Sequence, residues 1–160
     1  MAVAIEFSDW MELTQLYADY ALALDSGDWD AWPEFFTDHC IYRLQPRENH
    51  ERGFPLATLA FTSKGMLKDR IYSIRATLFH DPYYQRHVVG APVIRSVTAD
   101  RIQSESNYAV FRTKLSDTST VFNVGRYIDS VVRTPAGLRF ASRECIYDSE
   151  MIPNSIIYPI

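Results

Sequence analysis

The side chains able to do chemistry are four histidines (His39, His50, His80 and His87), two cysteines (Cys40 and Cys145) and the acids near them. A mononuclear iron or zinc site needs two or three imidazoles and a carboxylate that converge in space. Neither H-x-x-x-H nor H-E-x-x-H spacing occurs. His80, Asp81 and His87 can meet only across a turn, and a polar cap at a helix end accounts for them more simply. A Rieske-type [2Fe–2S] cluster takes two Cys and two His. The counts allow it, but neither cysteine sits with a histidine in a C-x-H or C-x-x-H loop. Asp25, His39 and Tyr42 are the candidate acid–base set, since a buried Asp–His pair can take a proton from a small substrate. Against that reading, Asp25 and Asp28 are placed to cap helices, His39 to lie in a turn, and the aromatic residues to fill any cavity. There is no glycine-rich phosphate loop and no G-x-S-x-G elbow. No cofactor-binding or metal-binding residue is therefore expected in this chain, and the acid–base set stays open as the enzyme alternative.

Two polar clusters stand apart from the rest. Arg47, Glu48, Glu51 and Arg52 form one; Asp81-Pro82-Tyr83-Tyr84-Gln85-Arg86-His87 forms the other. Arg and Tyr are enriched at protein interfaces, and paired charges there set register and partner choice. The clusters read as contact surfaces.

The elements that must position them follow from periodicity. Residues 1–7 form a tail, and Ser8 or Asp9 caps a helix with the stripe Trp10, Leu13, Tyr17, Tyr20 and Leu24. Gly27 ends it. Asp28 caps a short second helix carrying Trp29, Trp32, Phe35 and Phe36, with Pro33 in the first turn. A strand, Cys40 to Leu44, comes next. Residues 45–62 read as an irregular loop, a length usually tied to function or an interface. A third helix runs from Ser63 to Phe79 on the stripe Leu67, Ile71, Ile74 and Leu78, and Asp81-Pro82 stops it. Arg86 to Ile94 is a strand broken at Gly90 and Pro92. From Arg101 to Asp148 the pattern alternates at period two through three long strands, with turns at Ser116-Asp117-Thr118 and Thr134-Pro135-Ala136-Gly137. Phe122, Val124, Ile128 and Val132 should face the core, and Asn123, Asp129 and Arg133 the solvent. In the last strand Leu138, Phe140 and Ile146 should point in, Arg139 and Arg143 out. The apolar end, Tyr158-Pro159-Ile160, should dock on the body.

Helices before strands mean an α+β fold. Strands this long curl, and the three N-terminal helices should lie in the concavity of a curved, mostly antiparallel sheet, giving a cone. The 160 residues fit a single domain over 1–160. Apolar content of 47% and charge of 22% are those of a globular protein, and 14% aromatics favour a large core or an interface. A net charge of −4, with Arg and Lys interleaved among acids, argues against a nucleic-acid partner. No apolar run approaches a membrane span, so no membrane partner is expected. With no signal peptide and no disulfide framework, a cytoplasmic location is expected.

The chain resembles the small (β) subunits of aromatic-ring-hydroxylating oxygenases across its length. The resemblance rests on Gly27-Asp28-Trp29-Asp30-Ala31-Trp32-Pro33-Glu34-Phe35-Phe36 with Cys40-Ile41-Tyr42, a pattern shared across the cone fold of nuclear transport factor 2 and SnoaL-like proteins. It rests more specifically on His80-Asp81-Pro82-Tyr83-Tyr84-Gln85-Arg86-His87-Val88-Val89. Gln45-Pro46-Arg47-Glu48-Asn49 and Ser63-Lys64-Gly65-Met66-Leu67-Lys68-Asp69-Arg70 are similar to the branch acting on salicylate, anthranilate and terephthalate, the salicylate 5-hydroxylase type above all. The resemblance implies a non-catalytic structural subunit. It also implies a trimeric base within an α3β3 assembly, and a large subunit holding the Rieske [2Fe–2S] cluster and mononuclear Fe(II). A ferredoxin and an NAD(P)H reductase would act through that large subunit. Arg47, Glu48, Arg52, Tyr83, Arg86 and His87 are the expected contacts to neighbouring subunits. A free-standing cone enzyme (an isomerase, dehydratase or hydrolase) and a homodimeric binding module remain as alternatives.

Overall fold

The first helix is capped two residues before the earlier of its two expected caps, Ser8. In the computed structural model, which describes residues 4–152 and 155–160, α1 spans Phe7–Ser26. Glu6 is the N-cap, and the Asp9 carboxylate accepts the Glu6 N–H at 3.0 Å, so Asp9 closes a capping box rather than opening the helix. Gly27 ends α1 at φ 71°, a left-handed conformation that glycine takes without strain. Leu13, Tyr17, Tyr20 and Leu24 are buried as their stripe requires, but Trp10, read as part of it, lies near the N-terminal end of the helix and is 38% exposed.

The second expected helix is a single 3-10 turn, Trp32–Phe35, with Pro33 in its first turn and Asp28 Oδ1 accepting the Ala31 N–H at 3.4 Å. Phe36 already belongs to β1 (Phe36–Pro46), which is longer than expected. The stretch read as an irregular loop contains α2 (Arg47–Glu51) and β2 (Leu59–Phe61). Helix α3 covers Lys64–Ala76, shorter than read, with Ser63 Oγ accepting the Met66 N–H at 3.2 Å. β3 (Tyr83–Val89) and β4 (Val93–Val97) are separated at the Gly90 and Pro92 break, and β5 (Arg101–Lys114), β6 (Thr120–Thr134) and β7 (Gly137–Tyr147) form the long meander.

The sheet order is β2-β1-β7-β6-β5-β3, with β4 on β5. Every pairing is antiparallel except β1 with β7. The α+β cone with a curved, mostly antiparallel sheet is thus as the sequence implies, with α1 and α3 as its principal helices.

The face assignment within the meander differs from the sequence pattern. On β6 Phe122 is buried as expected, but so are Asn123, Gly125, Tyr127, Asp129, Ser130 and Val131, whereas Val124 is 39% exposed and Ile128 and Val132 are half-buried. Both faces of β6 carry apolar residues, so alternation alone could not choose between them. On β7 the register shifts opposite Ser130 and Val131, leaving Ala141 unpaired. That bulge reverses the parity of the strand. Leu138 and Phe140 point in before it, and Arg143 and Cys145 point in after it. Arg143 is 1% exposed instead of facing water.

Candidate interaction surfaces around a filled interior

The interior is built on a charge, not on a cavity. Asp129 of β6 and Arg143 of β7 face each other in register, and the guanidinium binds the carboxylate with both ends of its fork, Nε to Oδ1 at 3.0 Å and Nη2 to Oδ2 at 2.7 Å. Their side chains are 0% and 1% exposed. The Tyr17 hydroxyl donates to the same carboxylate and meets Ser104 Oγ at 3.0 Å. Four rings wall in the guanidinium: its carbon lies 3.9 Å from the Tyr127 ring centroid, 4.0 Å from Phe140, 4.3 Å from Tyr20 and 4.7 Å from Tyr17. Burial works against the charge on Arg143, but the Asp129 carboxylate outweighs it and holds the guanidinium's pKa well above its ordinary value. This arrangement fixes strands and rings; it offers no group free to exchange a proton with a substrate.

The acid–base set weighed from sequence does not assemble. His39 is exposed on β1, and the Tyr42 hydroxyl is bonded to the main chain of Ile160. Asp25 instead meets His87: its carboxylate accepts from His87 Nδ1 at 2.6 Å and from the His87 main-chain N–H at 3.0 Å to each oxygen. Asp25 therefore ties α1 to β3, which is a role its spacing from Gly27 did not reveal. His80 goes elsewhere, with Nε2 2.9 Å from the Tyr158 hydroxyl. Among the described residues no three His, Cys, Asp or Glu side chains are grouped to hold a metal ion. The donor set also fails a Rieske cluster: His80 and His87 are engaged as above, and both cysteines are buried thiols, Cys145 lying 3.6 Å from the Ile160 carbonyl. No helix among the described residues is long and apolar enough to cross a membrane.

Burial also sets an alkaline limit. It pushes the Cys145 thiol up to about 12 and raises Tyr17, Tyr20, Tyr42, Tyr108 and Tyr127. Groups kept neutral in the fold ionise more readily once unfolded, so their contribution is complete below the unfolded values and is lost above them. Those values lie near 8.5 for Cys and 10 for Tyr. Melting temperature should therefore fall steadily above about pH 9. A Tm that stays level to roughly pH 11 would contradict the packing described.

The expected contact residues occupy two separate places. Arg47 and Glu48 are on the short helix α2 and Arg52 is its C-cap, with side chains 58%, 52% and 61% exposed. They pair locally: Arg47 with Glu51 at 2.7 Å, Arg52 with Glu48 at 3.0 Å, and Arg47 with Asp148 at 3.6 Å. Tyr83, Arg86 and His87 are on β3, an edge strand of the sheet. Arg86 is 69% exposed, 3.8 Å from the Asp25 carboxylate. Tyr83 is half-buried beneath Tyr158, with ring centroids 4.4 Å apart. The His87 side chain is 0% exposed. It cannot touch a neighbour directly, and it supports Arg86 through Asp25.

The outward face between these clusters was misread from the sequence. Val88, Ala109 and Val124 lie side by side across β3, β5 and β6 in the strand register, and Arg86 sits opposite Phe111. Val88 is 57% exposed, Val124 39% and Tyr84 78%. Val124, which alternation assigned to the core, joins Val88 in an apolar outer row bordered by Arg86. Exposed apolar rows of this kind mark contact sites.

Residues 6–144 match the family model described as a SnoaL-like domain. The chain is 34% identical over 155 residues to the anthranilate 1,2-dioxygenase small subunit of Burkholderia cepacia, covering 97% of this chain and 96% of that protein. It is 29% identical over 150 residues to the beta 1 subunit of the terminal oxygenase component of terephthalate 1,2-dioxygenase from Comamonas sp, covering 94% and 97%. A crystal structure assigned as the beta subunit of an aromatic-ring-hydroxylating dioxygenase from Novosphingobium aromaticivorans superposes with a TM-score of 0.87 at 33% identity, covering 97% of this chain and all of the other.

Proposed function

From the premise that this chain belongs to the SnoaL-like domain family, and within it to the small subunits of aromatic-ring-hydroxylating dioxygenases, we propose that it is the structural small subunit of such an oxygenase, of the salicylate 5-hydroxylase type. The observation that carries the structural role is the filled interior: the ring-enclosed Asp129–Arg143 pair occupies the place a substrate would need. In this reading residues 1–160 act as one unit in the cytoplasm, with no catalysis of their own. A large subunit carries the Rieske cluster and mononuclear Fe(II), which supply electron transfer and oxygen activation. Ferredoxin and NAD(P)H reductase serve that subunit.

Two separate contact clusters, one on the α2 segment after β1 and one on the edge strand β3, suit a protomer with a different neighbour at each. Head-to-tail contacts of that kind close into rings, which supports a trimeric base within an α3β3 assembly. We assign Arg47, Glu48 and Arg52 to one contact, and Tyr83 and Arg86, with His87 behind them, to the other. Arg86→Ala, co-expressed with the large subunit, should weaken assembly about tenfold, the loss typical of an interface arginine. Because Arg86 is exposed, the isolated subunit should keep its Tm. Light scattering after gel filtration checks this. An intact hexamer of undiminished affinity and full activity would remove Arg86 from the interface.

A further inference from the structure

We propose that the mouth of the cone is a groove for an extended apolar peptide, and that the segment Ile156–Ile160 is its ligand, held in cis. The segment pairs with no strand. Side chains hold it instead, and they hold it by its main chain. Arg70 Nη2 on α3 donates to the carbonyls of Ile156 and Ile157, both at 2.9 Å. The Tyr83 hydroxyl on β3 accepts the Tyr158 N–H at 3.4 Å, and Gln85 Nε2 on the same strand donates to the Pro159 carbonyl at 3.2 Å. At the floor, the hydroxyls of Tyr20 and Tyr42 both donate to the Ile160 oxygen, at 2.8 and 3.1 Å, while Tyr42 accepts the Ile160 N–H at 3.0 Å. Four elements thus converge on five residues.

Two sockets add selectivity. The Tyr158 ring lies 4.8 Å from the Trp29 centroid and 4.4 Å from Tyr83, with its hydroxyl on His80. Ile160 is 0% exposed. Main-chain readout with side-chain pockets is how peptide-binding grooves work. The ligand class is therefore an extended peptide with an aromatic residue, then proline, then an aliphatic residue.

The groove also holds polar capacity that the segment does not use. Gln85 is 3% exposed, and its Oε1 has no hydrogen-bond partner; Arg70 Nε is likewise buried and unpartnered. Upstream of the segment the chain is exposed from Asp148 to Met151. This site shares Tyr83 with the β3 contact cluster, but it does not depend on the oxygenase reading.

A protease site replacing Ser149–Met151 in the full chain, cut after folding, tests the proposal. The cut segment should co-elute with the body and exchange with a labelled synthetic peptide Ile-Ile-Tyr-Pro-Ile, and unlabelled peptide should compete. Replacing the peptide tyrosine with alanine should weaken binding at least tenfold, on the order expected for an aromatic anchor. A body that releases the segment with no change in Tm and then ignores the peptide overturns the proposal. Should the cut body unfold, the uncut chain decides. Tyr42→Phe should speed hydrogen exchange across residues 156–160 about tenfold, as for a loosened local unit. Tyr147→Phe, which loses only its bond to Thr58 at 2.6 Å, should not. Equal exchange in both variants would make the segment ordinary core and sink the idea.

Discussion

Asp129→Asn should cost the protein more stability than any surface change. The substitution keeps the shape but removes the charge that Arg143 requires, leaving a guanidinium 1% exposed among four rings. Removing one member of a buried pair typically costs about 3–5 kcal/mol, because the other stays buried uncompensated. For a chain of this size that corresponds to a Tm lower by roughly 6–20 °C. Tyr17 also loses its strongest acceptor, so α1 should loosen from the sheet along with β7. The paired replacement Asp129→Leu with Arg143→Met removes both charges, and it should recover most of the loss. Thermal melts of the single and paired variants check this. A Tm for Asp129→Asn within about 2 °C of the parent would mean the pair is not what organises the core.

Gly125→Ala is the second large effect, for a steric reason. A Cβ at Gly125 would lie 1.9 Å from the Ile146 oxygen and 2.8 Å from both the Ile146 carbonyl carbon and the Tyr147 Cα. All three are main-chain atoms of β7, which cannot rotate aside as a side chain can. β6 and β7 are both interior strands of the sheet, so they cannot separate there without opening the ladder. Overpacking usually costs about 1–3 kcal/mol when neighbours can adjust. Here the clash is with backbone, and at least about 3 kcal/mol is expected. Gly65→Ala is the control: the nearest group to its added methyl is Ser63 Oγ at 3.6 Å, and alanine suits a helix, so Tm should not fall. A Gly125→Ala protein that melts with the parent would show that the two strands sit further apart than described.

Much of the fold was legible in the sequence because its signals are local. The stripe of α1, the stripe of α3, the proline at the start of the 3-10 turn and the long alternating strands each depend on a few neighbouring residues. What stayed hidden is non-local. The bulge at Ala141 reverses the facing of Arg143, and nothing in the composition of β7 announces it. Val124 and Ile128 were read as core because apolar alternation cannot tell a buried face from an apolar face left partly open. His87 lies in a recognisable polar cluster, yet its burial comes from Asp25, far away in the chain. The motif was visible; the direction of its side chain was not.

The one parallel pairing has a consequence for biosynthesis. β1 is hydrogen-bonded to β2 on one side and to β7 on the other, with Phe36 opposite Phe140. Most of the sheet contacts available to the first strand therefore wait until nearly the whole polypeptide has left the ribosome. Contacts so distant along the chain make folding slow and expose unpaired edges meanwhile. Yield in a recombinant host should thus respond to translation rate and chaperone supply more than to the intrinsic stability of the finished molecule.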